Sequence, residues 1–322
     1  MSIKIDVFSG FLGAGKTKLI KKLIEESLNK EKIAIIENEF GEIGIDGSFL
    51  RNSKIEITEI SAGCICCSVY GDFKKGILEV IDKYSPERII IEPSGVAKLS
   101  EILSVFKEPD IKEKVSLNML ITVLDVTKYD LYINNFADFY KDQIVNAKTI
   151  ILSRTQNISK DDVLSLTEKI KKLNSHASIV TTPWSDVSAS SIIEIAESTE
   201  EVPLLNKINI LKKDLGKGIL KTSTVAGTKE AFETIGIETP EVYSRTRIES
   251  ILSSLTDSSK YGLVLRAKGI IETEENNWLE FDYVPGEYEI RTSSADYSGR
   301  ICVIGNHLNI NEVKNLFTYK EI

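Results

Sequence analysis

"IKIDVFSGFLGAGKTKLIKKLIEESL", residues 3–28, decides the fold. Its first seven residues are a short, mostly apolar run of strand length that ends at Gly10. From Thr17 the apolar residues Leu19, Ile20, Leu23, Ile24 and Leu28 fall at the spacing of one helix face. Between them stands "GFLGAGKT" (10–17), a full match to G-x-x-x-x-G-K-[ST] in the strand–loop–helix setting that the motif requires. The physics is that of a phosphate cradle. Small residues at Gly10, Gly13, Ala14 and Gly15 let backbone N–H groups turn inward. The helix amino end adds its positive dipole there. Lys16 brings a cation to the β- and γ-phosphates, and the Thr17 hydroxyl is suited to Mg²⁺. A chance glycine-rich turn ahead of a lysine is the competing reading, and the order of strand, loop and helix argues against it.

Outward from this unit, strand and helix alternate. Apolar runs at 33–37, 55–60, 88–92, 117–125, 149–153 and 178–182 read as strands. Helical spacing recurs near 70–84, 97–107, 131–147 and 160–174. Runs so uniformly apolar are buried on both faces, which predicts an α/β domain with a mostly parallel sheet between helices, over 1–199. Residues 200–225 read as a connector. Residues 226–322 change character: strands at 231–239, 262–272, 277–293 and 300–306, with helices at 244–256 and 309–317, predict a small α+β domain. The alternation of Leu279, Phe281 and Tyr283 suits antiparallel strands with one buried face.

Composition narrows the partners. The 322 residues carry 48 acids against 40 bases, a net charge of −8, with no basic run. No nucleic-acid or anionic-membrane partner is expected. The start "MSIKIDVFSG" lacks the pattern of a signal peptide, and no apolar run reaches membrane-spanning length. Four cysteines in such a chain are no disulfide framework, so a reducing, cytoplasmic compartment is expected.

Three of those cysteines, Cys64, Cys66 and Cys67, crowd into "SAGCICC". Thiolates this close are soft ligands for Zn²⁺ if the loop bends, and the small residues before them permit it. Buried apolar packing or a redox switch are the other readings. His176 and His307 lie in turn-like stretches and are expected at the surface; Cys302 is expected in the core. The loop "ENEFGEIGID" (37–46) supplies oxygen donors at Glu37, Glu39, Glu42 and Asp46. In "IIIEPSG" (89–95), Glu92 ends a strand at the sheet edge that carries the phosphate loop, and Gly95 can offer its N–H to a γ-phosphate. Asp125, ending "LITVLD", is a second acid on that edge.

"GFLGAGKT", "ENEFGEIGID", "GCICC" and "EPSG", in this order, resemble the CobW-type metallochaperones of the P-loop GTPase group that includes HypB and UreG. "GLVLRAKGIIE" (262–272) is similar to the start of the CobW C-terminal domain. The resemblance implies a GTPase domain plus a small C-terminal domain, and slow GTP hydrolysis with Mg²⁺, coupled to handling a metal such as Zn²⁺ for a client protein. It carries the thiol motif onto Cys64, Cys66 and Cys67, the glutamate loop onto Glu37 and Glu42, and the third GTPase motif onto Glu92–Gly95. Pro93 stands where the family usually has Thr, which stiffens that turn.

The guanine motif departs further. The family's N-K-x-D is here "SRTQ", Ser153 to Gln156. An aspartate accepts twice from guanine N1–H and N2–H₂, whereas Gln156 offers one acceptor and one donor, a pair that suits adenine. Ser153 is shorter than asparagine, and Arg154 can cover the base as lysine would. A weakened preference for GTP over ATP is therefore expected. A P-loop kinase and a thiol redox-sensing adaptor remain the alternatives.

Overall fold

The computed structural model describes residues 2–37, 56–59, 70–197, 232–275, 277–296 and 298–318. The phosphate-loop unit forms as its pattern predicts: β1 (Ile3–Ser9), a loop, then α1 (Lys16–Leu23), which runs on through one wider π-helical turn, Ile24–Leu28. Around β1, the described strands β2 (Ile33–Glu37), β3 (Glu56–Glu59), β4 (Arg88–Glu92), β5 (Val115–Asp125), β6 (Thr149–Ser153) and β7 (Ser178–Val180) form a seven-stranded sheet. Its order is β3-β2-β4-β1-β5-β6-β7 and every pairing is parallel. All carboxyl ends therefore share one edge, with the phosphate loop at its centre.

Strand period two sorts the apolar runs onto two faces. Ile33, Ile35 and Ile90 pack with Leu19, Ile20 and Leu23 of α1 and with Ile192 of α8 (Ala189–Glu197). Ala34, Ile36, Ile89 and Ile91 pack on the other side, against Phe73 and Ile77 of α2 (Tyr70–Tyr84) and Leu99 and Ile102 of α3 (Leu99–Val105). A short α4 (Pro109–Lys112) follows α3. The single helix expected near 131–147 is two, α5 (Tyr129–Asn135) and α6 (Ala137–Val145), because Phe136 leaves helical geometry at ψ 37°. The turn lets Phe136 join an aromatic cluster instead. Helix α7 (Lys160–Leu173) starts on a Ser159 cap whose hydroxyl accepts from the Asp162 N–H.

At the amino edge, Arg88 and Asp6 form a fully buried ion pair, closed by Glu31 and by Asn118 Nδ2 at 2.8 Å from Asp6. This charge is structural and sits at the edge remote from the phosphate loop.

The C-terminal strands make a second sheet in the order β12-β11-β10-β13-β8: β8 (Glu233–Thr239), β10 (Leu263–Thr273), β11 (Trp278–Val284), β12 (Glu287–Ser293) and β13 (Gly299–Asn306). These pair antiparallel, and a two-residue β9 (Val242–Tyr243) adds in parallel to β10. One face packs on α9 (Arg245–Ser254), α10 (Ser258–Tyr261) and α11 (Ile310–Thr318) through Ile248, Leu252, Tyr261, Phe281 and Phe317. The other meets the first domain. Phe232, Leu265, Cys302 and Ile304 share a core with Phe11, Phe136 and Phe139, and Phe232 stacks on Phe136 with ring centroids 5.1 Å apart. Cys302 is thus in the core, as expected. No helix among the described residues is long and apolar enough to cross a membrane.

Candidate functional site

Gly10, Gly13 and Gly15 all take positive φ, which bends residues 10–15 into a cradle ahead of α1. Lys16 is buried and its Nζ donates to the Gly10 carbonyl at 3.0 Å. The Thr17 hydroxyl donates to Glu92 Oε1 at 2.9 Å, and Lys16 Nζ lies 3.9 Å from that same oxygen. Sequence-distant residues thereby converge as parallel topology requires, since β4 lies beside β1. The result is a compact set of hard oxygen donors and one cation at the mouth of the cradle.

Gly95 lies against the loop itself. A Cβ there would stand 2.6 Å from the Leu12 backbone nitrogen, so only glycine permits this approach. The Gly95 carbonyl accepts from Gln143 Nε2 at 3.0 Å. Pro93 and Ser94 before it are buried.

Of the expected metal ligands, Glu37 closes β2 in register with Glu92 of β4 on one side and Glu59 of β3 on the other. Three strand-ending glutamates therefore stand in a row on the carboxyl edge. Cys64, Cys66, Cys67, Glu42, Glu39 and Asp46 lie outside the described residues. Among the described residues no group of three or more His, Cys, Asp or Glu could hold a metal. His176 and His307 are exposed, as expected.

The "SRTQ" stretch divides. Ser153 is buried and its hydroxyl donates to the Leu124 carbonyl at 3.3 Å, so it faces the neighbouring strand. Gln156 is exposed in the short turn Thr155–Asn157. Arg154 takes a left-handed φ of 59° and reaches across the phosphate loop. Its Nη1 donates to the Gly13 carbonyl at 3.1 Å and to Asp125 at 2.8 Å. Asp125 also accepts from the Thr127 N–H and hydroxyl, at 2.9 and 2.7 Å. It lies two strands from Glu92 and secures Arg154, on the side away from Thr17.

Sequence reasoning missed the C-terminal contribution. The β11–β12 hairpin seats Val284 against Gly13, where any side chain at position 13 would collide with it. Lys128 donates to the Pro285 carbonyl, Arg154 Nε meets Glu287 at 3.0 Å, and Lys18 meets Glu289 at 3.0 Å. A pocket of about 330 Å³ opens between the cradle and this sheet, where Lys16, Thr17 and Glu92 face Arg266, Asp282 and Tyr283. Burial pushes the Tyr283 hydroxyl up to about 12, so it stays protonated near neutrality. The "VPGE" turn signal in the sequence marks a hairpin, and nothing in it says where the hairpin docks. Trp184, in the loop after β7, was also missed; its ring lies beside Gly15.

Comparison with known proteins accords with this architecture. The family described as CobW/HypB/UreG, nucleotide-binding domain, matches residues 4–181, and the cobalamin synthesis protein cobW C-terminal domain matches 232–319. The chain is 28% identical over 229 residues to the zinc chaperone CobW of Sinorhizobium sp, covering 62% of this chain and 64% of that protein. It is 29% identical over 191 residues to the zinc chaperone YjiA of Escherichia coli, covering 58% and 59%. Both matches span less than two thirds of the relative's length. Against the zinc-regulated GTPase metalloprotein activator 1 of Schizosaccharomyces pombe it is 26% identical over 343 residues, covering 95% of this chain and 83% of that one. With more than half of its length matched by the nucleotide-binding domain, the chain belongs to the CobW/HypB/UreG family.

Proposed function

We propose that this protein binds and hydrolyses GTP, and that the nucleotide cycle governs binding and release of a thiophilic divalent metal, zinc in the first place, to a client protein. The observation that carries this reading is the convergence of Lys16, Thr17 and Glu92 at the mouth of the cradle. A hydroxyl and a carboxylate 2.9 Å apart are the hard donor set that suits Mg²⁺. Bound there, Mg²⁺ would supply neutralisation of phosphate charge. Gly10, Gly13, Ala14 and Gly15 cradle phosphate through backbone N–H groups, and Lys16 turns from its loop carbonyl to the phosphate oxygens. Glu92 orders the metal side, and Gly95 reads the γ-phosphate through its N–H. Arg154, bridging Gly13 and Asp125, covers the base.

Cys64, Cys66 and Cys67, with Glu37 and Glu42, are the proposed cargo ligands, thiolates selecting a soft or borderline metal. The register of Glu37 with Glu92 supports linkage, because one strand edge serves both cargo and nucleotide. Directed transfer requires the GTP and GDP forms to differ in metal affinity. We assign 1–199 to the GTPase domain, 200–225 to the connector and 226–322 to the CobW-like C-terminal domain, and the cytoplasm as the compartment. Relatives named for zinc and GTPase activity favour this reading over a kinase or a redox adaptor.

The test is phosphate release from GTP with Mg²⁺ and no added acceptor, alongside metal analysis of protein purified under reducing conditions. Acceptor-independent release and stoichiometric thiol-bound zinc are expected. Release only when an acceptor is added would make it a kinase.

A further inference from the structure

Gln143, on α6, is fully buried, and the phosphate chemistry outlined above makes no use of it. Its side-chain amide spends both hydrogens on one loop: Nε2 donates to the Gly95 carbonyl at 3.0 Å and to the Ala97 carbonyl at 2.9 Å. Its own backbone carbonyl accepts from the Thr122 hydroxyl of β5 at 2.9 Å. The neighbouring Asp142 accepts from the Ser100 N–H at 3.0 Å, at the start of α3. So one helical turn ties the central sheet to the segment that follows Glu92.

The tie holds the Gly95–Val96 peptide plane directly, through the Gly95 carbonyl, and bears on the preceding plane, which carries the Gly95 N–H, through the turn. The Ser94 carbonyl accepts from the Ala97 N–H at 2.9 Å, inside the turn that Gln143 anchors from behind. Ser94–Gly95 is a trans peptide, so its N–H points opposite to that carbonyl, out of the turn. On its other side Gly95 abuts Leu12 of the phosphate loop. The glycine backbone is thus held between the phosphate loop and Gln143.

The amide is retained at a cost. Among the described residues Gln143 Oε1 is buried and has no hydrogen-bond partner. An apolar side chain would avoid that penalty, so the two donors are the reason for an amide here. A lone buried donor serving two carbonyls of one loop is a strut.

We propose that Gln143 is a positioning residue for hydrolysis: it sets the height and orientation of the Gly95 N–H over the phosphate loop, and so acts on the triphosphate and not the diphosphate. This rests on the reading of Gly95 as the γ-phosphate contact. Gln143→Met keeps length and unbranched shape but loses both donors. Its kcat is expected to fall at least about tenfold. GDP affinity should stay within about twofold of wild type, because a diphosphate does not reach Gly95. Gln143→Glu, nearly isosteric, covers the case in which the Met variant fails to fold. As a carboxylate it has no donor; once protonated it regains one. Its kcat relative to wild type should therefore rise as pH is lowered. Single-turnover GTP hydrolysis and titration with fluorescent GDP measure both quantities. Full kcat in a folded Gln143→Met protein, or equal loss of GDP and GTP affinity, would overturn the proposal while leaving the nucleotide site intact. A wild-type protein that hydrolyses no nucleotide would overturn the site reading, and this inference with it.

Discussion

Val284 of the C-terminal sheet fills the space in which a side chain at Gly13 of the phosphate loop would have to lie. The glycine is thus demanded twice, by its φ of +69° and by a residue 271 positions away that closes on it. Gly13→Ala should destabilise the nucleotide-free protein by about 1–3 kcal/mol, through overpacking and backbone strain. Adding Val284→Ala should recover at least about 0.5 kcal/mol of that loss, the coupling expected of residues in contact. Denaturant melts of the two single variants and the double variant measure it. Strictly additive effects would mean that the hairpin does not rest on the loop.

Lys16 reaches the loop carbonyls of Gly10 and Phe11 and Glu92, all at the mouth of the site. Lys16→Ala should lower hydrolysis roughly 10²–10³-fold, as removal of a preorganised charge does elsewhere. Far-UV circular dichroism should be unchanged. Undiminished turnover would remove the phosphate-loop assignment.

Gln156, which the resemblance sets at the base-reading position, is exposed, while Ser153 is turned toward Leu124. Replacing Gln156 by Asp restores the double acceptor that guanine requires. Selectivity for GTP over ATP should rise roughly ten- to a hundredfold, the worth of about 1.5–3 kcal/mol for a hydrogen bond to a charged group. Paired titrations with GTP and ATP decide it. A wild type that already prefers GTP a thousandfold, unchanged by Asp, would show that backbone groups read the base.

Cys66→Ser exchanges a thiolate for a far poorer soft-metal ligand. Zinc affinity should fall by orders of magnitude while basal nucleotide binding is spared. If replacing Cys64, Cys66 and Cys67 together left zinc affinity unchanged, the cargo assignment would fail.

Much of this was legible in the residues. The octet at 10–17 and the uniform apolar runs led to a parallel sheet because both depend on local pattern, and Glu92 followed from its place at a strand end. The break at Phe136 was not legible, because helical periodicity continues across it; tertiary packing with Phe11 and Phe232 decided it. Gln143, Trp184 and the Val284 hairpin were invisible for a related reason. Their roles depend on which distant segment each meets, and single-sequence periodicity carries no such information. Arg154 was singled out in the sequence as a cover for the base, and its hold on Gly13 and Asp125 emerged only in three dimensions.

Nucleotide and cargo metal are proposed to be linked through one sheet edge, where Glu37 stands in register with Glu92. Competitive zinc titration of the full chain against a chelator, under reducing conditions, tests it directly with no nucleotide, with GDP and with a non-hydrolysable GTP analogue. Zinc affinity in the GDP and GTP-analogue states should differ by at least about fivefold, a coupling of about 1 kcal/mol. Equal zinc affinity in all three states would contradict it.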